Sequence, residues 1–102
     1  MSQTLTPSEL RELMITKPVT LLDVRRAGDC EAHPESMPGA IWKDPTQVAA
    51  WAKDLPQDKP IVIFCVRGGS VSTSVQAALQ DKGFDVQYVQ GGLVALEEGT
   101  SR

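Results

Sequence analysis

Ile61-Val62-Ile63-Phe64 is a run of four apolar residues, entered from Pro60 and left through Cys65 and a glycine pair. A strand with one face in water alternates polar and apolar side chains. A run with no polar member demands cover on both faces. Val19 to Val24, "VTLLDV", is a second β-branched, mostly apolar run, and Val86 to Val89 is a third. Helical patterns separate them. Thr6-Pro7-Ser8-Glu9 reads as a helix start, with Thr6 as cap, Pro7 at the first helical position and Glu9 completing a capping box. Leu10, Leu13 and Met14 follow at helical spacing. Asp44-Pro45 opens a second helix with Val48, Trp51, Ala52 and Leu55 along one face, and Pro56 lies just past its end. Ser70 can cap a third, with Val71, Val75, Ala78 and Leu79 inward and Gly83 at its C′ position. Gly91-Gly92 turns into a short last helix from Leu93 to Glu98.

Strands alternating with helices predict an α/β fold with a mostly parallel sheet covered on both faces. Thr4-Leu5 and Ala40 to Trp42 are short candidate strands, and residues 25 to 39 read as a polar loop. With 102 residues the chain suits one domain over 1–102 and a single core. A net charge of −3 leaves no basic footprint for nucleic acid. No apolar run of about 18 residues predicts a membrane span. Met1-Ser2-Gln3-Thr4 lacks the pattern of a signal peptide, so the expected location is cytoplasmic. Two cysteines are too few for a disulfide scaffold, and one histidine, His33, with no Cys/His cluster argues against a metal site or a metal cofactor.

In parallel sheets ligands bind beyond the carboxyl ends of the strands, which is where Cys65 falls. The thiolate is the reactive form of cysteine. "CVRGGS", Cys65 to Ser70, leads into a helix N-terminus, where unpaired N–H groups favour negative charge. Gly68 and Gly69 let the backbone curl so that N–H groups can converge, and Arg67 adds a full positive charge. The result is a cradle for an anion with the sulfur at its base. The alternative reading is a buried core cysteine followed by an ordinary turn. The joint arrangement of strand, cysteine, glycine turn and serine before a helix favours a functional thiol.

Four stretches together resemble the rhodanese family of sulfurtransferases. "LLDVR" (Leu21 to Arg25) is similar to its second-strand motif and "MPGA" (Met37 to Ala40) to its "IPGA" turn. "CVRGGS" resembles the active loop C-x-x-G-x-S/T. Gly83-Phe84 through Gly91-Gly92 is similar to the C-terminal signature. The resemblance implies a three-layer α/β/α domain with a mostly parallel, roughly five-stranded sheet. It implies Cys65 as nucleophile toward the outer sulfur of thiosulfate or a related small sulfur anion, and a persulfide intermediate. The acceptor would be cyanide, a small thiol or a protein thiol. Val66, Arg67, Gly68, Gly69 and Ser70 would bind substrate, Arg67 by its charge and the rest through backbone N–H groups. No cofactor, nucleic acid or membrane is implied.

The chain departs from the pattern at Ser36, where the family usually has histidine; at Ser70-Val71, where many bacterial members have Arg-Ser; and at Leu96, the usual Trp. His33-Pro34 resembles a variant subgroup, some of whose members are fused to chromate-resistance proteins. A cysteine phosphatase or arsenate reductase would need C-x5-R, and position 71 is Val71. A persulfide carrier and a non-enzymatic rhodanese-fold binding module are the other readings; such modules usually lack the cysteine. Asp23 reads as a loop-capping or salt-bridge acid. Arg25 and Arg26 read as surface arginines, one of which can line the pocket mouth. Cys30 reads as an incidental exposed cysteine rather than a resolving thiol, and Trp42 and Trp51 as core or pocket wall.

Overall fold

The computed structural model describes residues 4–34, 39–55, 59–66 and 70–100, with the side chains of Ser70 and of residues 97–100 left aside. Five strands, β1 (Thr4–Leu5), β2 (Thr20–Asp23), β3 (Ile41–Trp42), β4 (Ile61–Phe64) and β5 (Val86–Val89), form one sheet of order β1-β5-β4-β2-β3. Every pairing is parallel, with Leu22 beside Ile63 and Ile63 beside Tyr88. The helices are α1 (Pro7–Thr16), α2 (Ala27–Ala32), α3 (Val48–Ala52), α4 (Ser70–Asp81) and α5 (Gly92–Thr100).

Because successive strand residues point to opposite faces, the apolar runs split into two cores. Leu22, Val24, Ile61, Ile63, Cys65 and Val86 pack with Val48, Trp51 and Ala52 of α3 and Val75 and Leu79 of α4. On the other face Leu21, Val62, Phe64 and Val89 pack with Leu10 of α1 and Leu93 and Leu96 of α5. This is the three-layer α/β/α arrangement with β4 at its centre. No helix among the described residues is long and apolar enough to cross a membrane.

Local signals translate directly. The Thr6 hydroxyl accepts from the Glu9 N–H at 3.1 Å, and the Glu9 carboxylate accepts from the Thr6 N–H at 2.9 Å, which closes the capping box. Gly83 takes φ +92, its N–H bonds Gln80 O, and the Phe84 N–H bonds Leu79 O, a Schellman end to α4. Four expectations need correction. Met14 is 39% exposed, so Leu10, with half-buried Leu13 beside it, carries the inward face of α1. Trp42 is 43% exposed on the edge strand, held by its indole N–H to Arg25 O rather than by a core. The second helix begins as a 3-10 turn over Pro45–Gln47, capped by Asp44, before α3. Residues 25 to 39 are not all loop, because α2 occupies Ala27–Ala32 and ends two residues before Pro34. Pro56 lies outside the described residues.

Arg25 is the largest correction: it is 2% exposed, not a surface arginine. Asp23, expected as a salt-bridge acid, is its partner and equally buried. Nη2 donates to Asp23 Oδ2 at 2.8 Å, and Nε donates to both carboxylate oxygens at 3.0 Å. Nη1 donates to His33 O, at the end of α2, at 2.6 Å. The Arg25 N–H also donates to Asp23 Oδ1. These bonds raise the pKa of Arg25 above its ordinary value, the hydrogen bond to Asp23 being the largest cause and burial opposing it. The pair thus ties the end of β2 to the end of α2, while Trp42 closes on the Arg25 carbonyl from β3.

Two stability outcomes follow from this frame. Asp23→Ala leaves a buried guanidinium uncompensated and should cost about 3–5 kcal/mol in urea unfolding. The double variant Asp23→Ala/Arg25→Met should lose less than the sum of the single losses; strictly additive losses would rule out coupling. Gly83 and Gly91 both have positive φ, but only Gly91 is also crowded, since a Cβ there would lie 2.6 Å from the Ala95 Cβ. Gly83→Ala should cost about 1–2 kcal/mol for backbone strain, and Gly91→Ala should cost more, by about 1–3 kcal/mol of overpacking. Equal melting shifts for the two would contradict the contact with Ala95.

Candidate functional site

The parallel strands bring their carboxyl ends to one edge. Asp23 pairs with Phe64 and the Val24 N–H donates to Phe64 O at 2.9 Å, so the end of β2 lies beside Cys65. The alternation Ile61, Ile63, Cys65 turns the thiol toward the α3–α4 face, where it is 5% exposed and belongs to the apolar cluster. Cys65 is thus both a core residue and the first residue past β4, the two readings that the sequence left in competition.

From the β5 side, the Gly91-Gly92 turn delivers α5 onto the same place. Both glycines have positive φ, +77 and +60, which L side chains rarely adopt. They aim the first N–H groups of α5 at the start of the loop. The Leu93 N–H donates to Cys65 O at 2.8 Å and the Val94 N–H donates to Val66 O at 3.1 Å. These donors lack intrahelical partners at any helix start, and here two loop carbonyls take them up. Of the predicted binding residues, Val66 is half-buried behind Cys65 and Ser70 is the first residue of α4. Arg67, Gly68 and Gly69, like Ser36, lie outside the described residues.

Two recesses flank this edge. One, of about 300 Å³, is walled by Val66, Leu93 and Val94 on the α5 side and by Arg25, Asp29, Ala32 and His33 across from them. The other, of about 200 Å³, opens on the α3–α4 side between Arg26, Pro45, Thr46, Val71, Ser74 and Val75. Arg26, expected at the surface or at a pocket mouth, is exposed and lines the second recess; Trp51 is buried in the core as expected.

Sequence reasoning gave no site role to Asp29, Ala32 or Ser74, because Gly28 and Pro34 made the first two look like loop and Ser74 carries no motif. It also passed over Ser72, which is fully buried in the first turn of α4, its hydroxyl without a hydrogen-bond partner among the described residues. Cys30, expected to be exposed, is half-buried in α2. Burial pushes its thiol pKa up and Arg25 opposes that. A thiol held protonated in this way is a poor nucleophile, which weighs against a resolving role.

The frame and the site find matches among known proteins. The model of the rhodanese-like domain matches residues 6–98. The thiosulfate sulfurtransferase GlpE of Pseudomonas syringae is 32% identical over 87 residues, which cover 84% of this chain and 79% of that protein. A tRNA sulfurtransferase of Desulfurococcus amylolyticus is 30% identical over 82 residues, or 80% of this chain. The chain spans only 16% of that protein's length, and 14% of another long curated relative. Among solved structures, a rhodanese-like domain protein from Staphylococcus aureus superposes with a TM-score of 0.79 at 27% identity, covering 94% of this chain and 91% of that one. A match that runs from the cap of α1 into α5, on an all-parallel sheet with Cys65 just past its central strand, makes this chain a member of the rhodanese-like domain family.

Proposed function

We propose that the protein is a sulfurtransferase that carries a sulfane sulfur on Cys65. The observation that carries the reading is the place of Cys65, directly past the central strand and ahead of α4. Family membership and the presence of named sulfurtransferases among the relatives support it. The donor is thiosulfate or a related small sulfur anion. The Cys65 thiolate attacks the outer sulfur, the sulfur–sulfur bond of the donor breaks, and sulfite leaves with the electron pair. The unpaired N–H groups at the start of α4, just beyond Cys65 in the chain, favour the negative charge of the persulfide. Near-complete burial of Cys65 keeps bulk water from the intermediate. A thiophilic acceptor, whether cyanide, a small thiol or a protein thiol, then takes the outer sulfur and returns Cys65 to the thiolate. A persulfide carrier differs from this enzyme only in having a partner protein as acceptor.

Intact-mass analysis after exposure to thiosulfate should find one added sulfur atom, lost again on addition of cyanide. Cys65→Ser should take up no sulfur and should form no thiocyanate, while its circular dichroism and melting stay near those of the parent. Retention of most of the activity by that variant would sink the mechanism.

Arg67 is the one cation inside the six-residue stretch from Cys65 to Ser70. Its role follows from the charge of the donor. The oxygens of thiosulfate keep their charge as sulfite departs, so ground state and transition state both feel a guanidinium beside them. A charge-assisted hydrogen bond of about 1.5–3 kcal/mol, reduced by solvent, predicts that Arg67→Ala raises KM for thiosulfate about tenfold with a smaller fall in kcat. Equal loss of turnover with every donor at unchanged KM would instead assign Arg67 to the thiolate or to the shape of the loop.

A further inference from the structure

The two recesses beside Cys65 differ in charge and lie on opposite faces of the sheet. In the larger one the charge of Arg25 is taken up by Asp23 and by His33 O, which leaves the half-buried Asp29 carboxylate on its wall. A dianion is repelled there. The smaller one lies on the α3–α4 face, the face to which the alternation of β4 turns the thiol. Its floor residues Val71 and Val75 pack in the same apolar cluster as Cys65. Its polar rim is Arg26, Thr46 and Ser74. The Thr46 hydroxyl already donates to Asp44 Oδ1 at 2.7 Å, so it is not free to meet a ligand. The Arg26 guanidinium makes no hydrogen bond or ion pair among the described residues. Its backbone, in contrast, is fixed, because Arg26 O accepts the Asp29 and Cys30 N–H groups at the start of α2.

We infer that the Arg26 recess receives the oxyanion end of the sulfur donor, and that Arg26 is a specificity-determining residue for anionic donors. The inference rests on the sulfurtransferase reading for the donor's identity. Arg26 and the Ser74 hydroxyl take the oxygens, the apolar floor of Val71 and Val75 leads toward Cys65, and the sulfane sulfur points at the thiol. The chemistry is the transfer already described: the Cys65 thiolate forms a bond to the sulfane sulfur, the donor's sulfur–sulfur bond breaks, and sulfite carries away the electron pair. Selectivity arises because the same approach offers a neutral donor no partner for Arg26.

Alkylation tests the recess without sulfur transfer. Iodoacetate and iodoacetamide deliver nearly the same carbon to a thiolate, release iodide in the same way, and differ by one negative charge. Their rates at Cys65 are read by peptide mass, which separates Cys30. Arg26→Gln should lower the iodoacetate-to-iodoacetamide rate ratio about three- to fivefold, the range of a solvent-screened ion pair, and Arg26→Lys should restore most of it. KM for thiosulfate should rise by about the same factor in Arg26→Gln with kcat within about twofold. An unchanged ratio in Arg26→Gln, or a ratio that Arg26→Lys fails to restore, overturns the assignment. If the parent protein takes up no sulfur while the ratio still falls, the anion recess stands and the sulfurtransferase reading falls.

Discussion

A strand covered on both faces has no place for a polar side chain along its length. In β4 every residue from Ile61 to Phe64 is buried, and the two cores divide them by alternation. Cys65, the first residue past the strand, still packs in one of those cores but stands where the ladder ends. β2 obeys the same rule with a different outcome. Leu21 and Leu22 are buried, and the polar chemistry begins at Asp23, the last residue of the strand. All pairings are parallel, so these positions collect on one edge of the sheet. The place of the candidate site is thus a consequence of the packing.

The buried ion pair shows how that edge is held in shape. Desolvating Asp23 and Arg25 is costly, and hydrophobic residues of similar volume can equal or exceed such a pair in stability. What the pair supplies is geometry. The guanidinium reaches the carboxylate of β2 and the carbonyl of His33 at once, and that fixes where α2 ends. Arg25, Asp29 and His33 then stand on one wall of the larger recess, and Arg26 on the rim of the smaller one. Neighbours in sequence thus serve opposite faces: Arg25 is spent on structure, and Arg26 keeps its charge for solvent or a ligand.

Features set by local backbone physics were legible in the sequence. The capping box of Thr6 and Glu9, the glycine end of α4 and the Gly91-Gly92 turn each depend on a few adjacent residues, and all three appear in the fold. The apolar runs were legible because two-sided burial leaves a compositional trace. Arg25 was misread because its burial depends on Asp23 and His33 O, and nothing in an arginine's own sequence context reports such partners. Trp42 was misread because the edge position of β3 is a property of the whole sheet. At the candidate site, the position of Cys65 just past a central strand and ahead of a helix was legible from the apolar run before it and the helical pattern after it. The recess walls were not, since residues 26, 46 and 74 meet only through the fold.

The bonds from α5 to the loop act on more than the two carbonyls they satisfy. A trans peptide sets its C=O and its N–H in opposite directions. Turning Cys65 O toward the Leu93 N–H therefore turns the Val66 N–H, in the same peptide plane, away from α5. The two glycines at 91 and 92, far along the chain from the cysteine, thereby set which way the Val66 N–H faces. The polarity of the peptide that follows Cys65 is written in a glycine turn some 26 residues further along the chain.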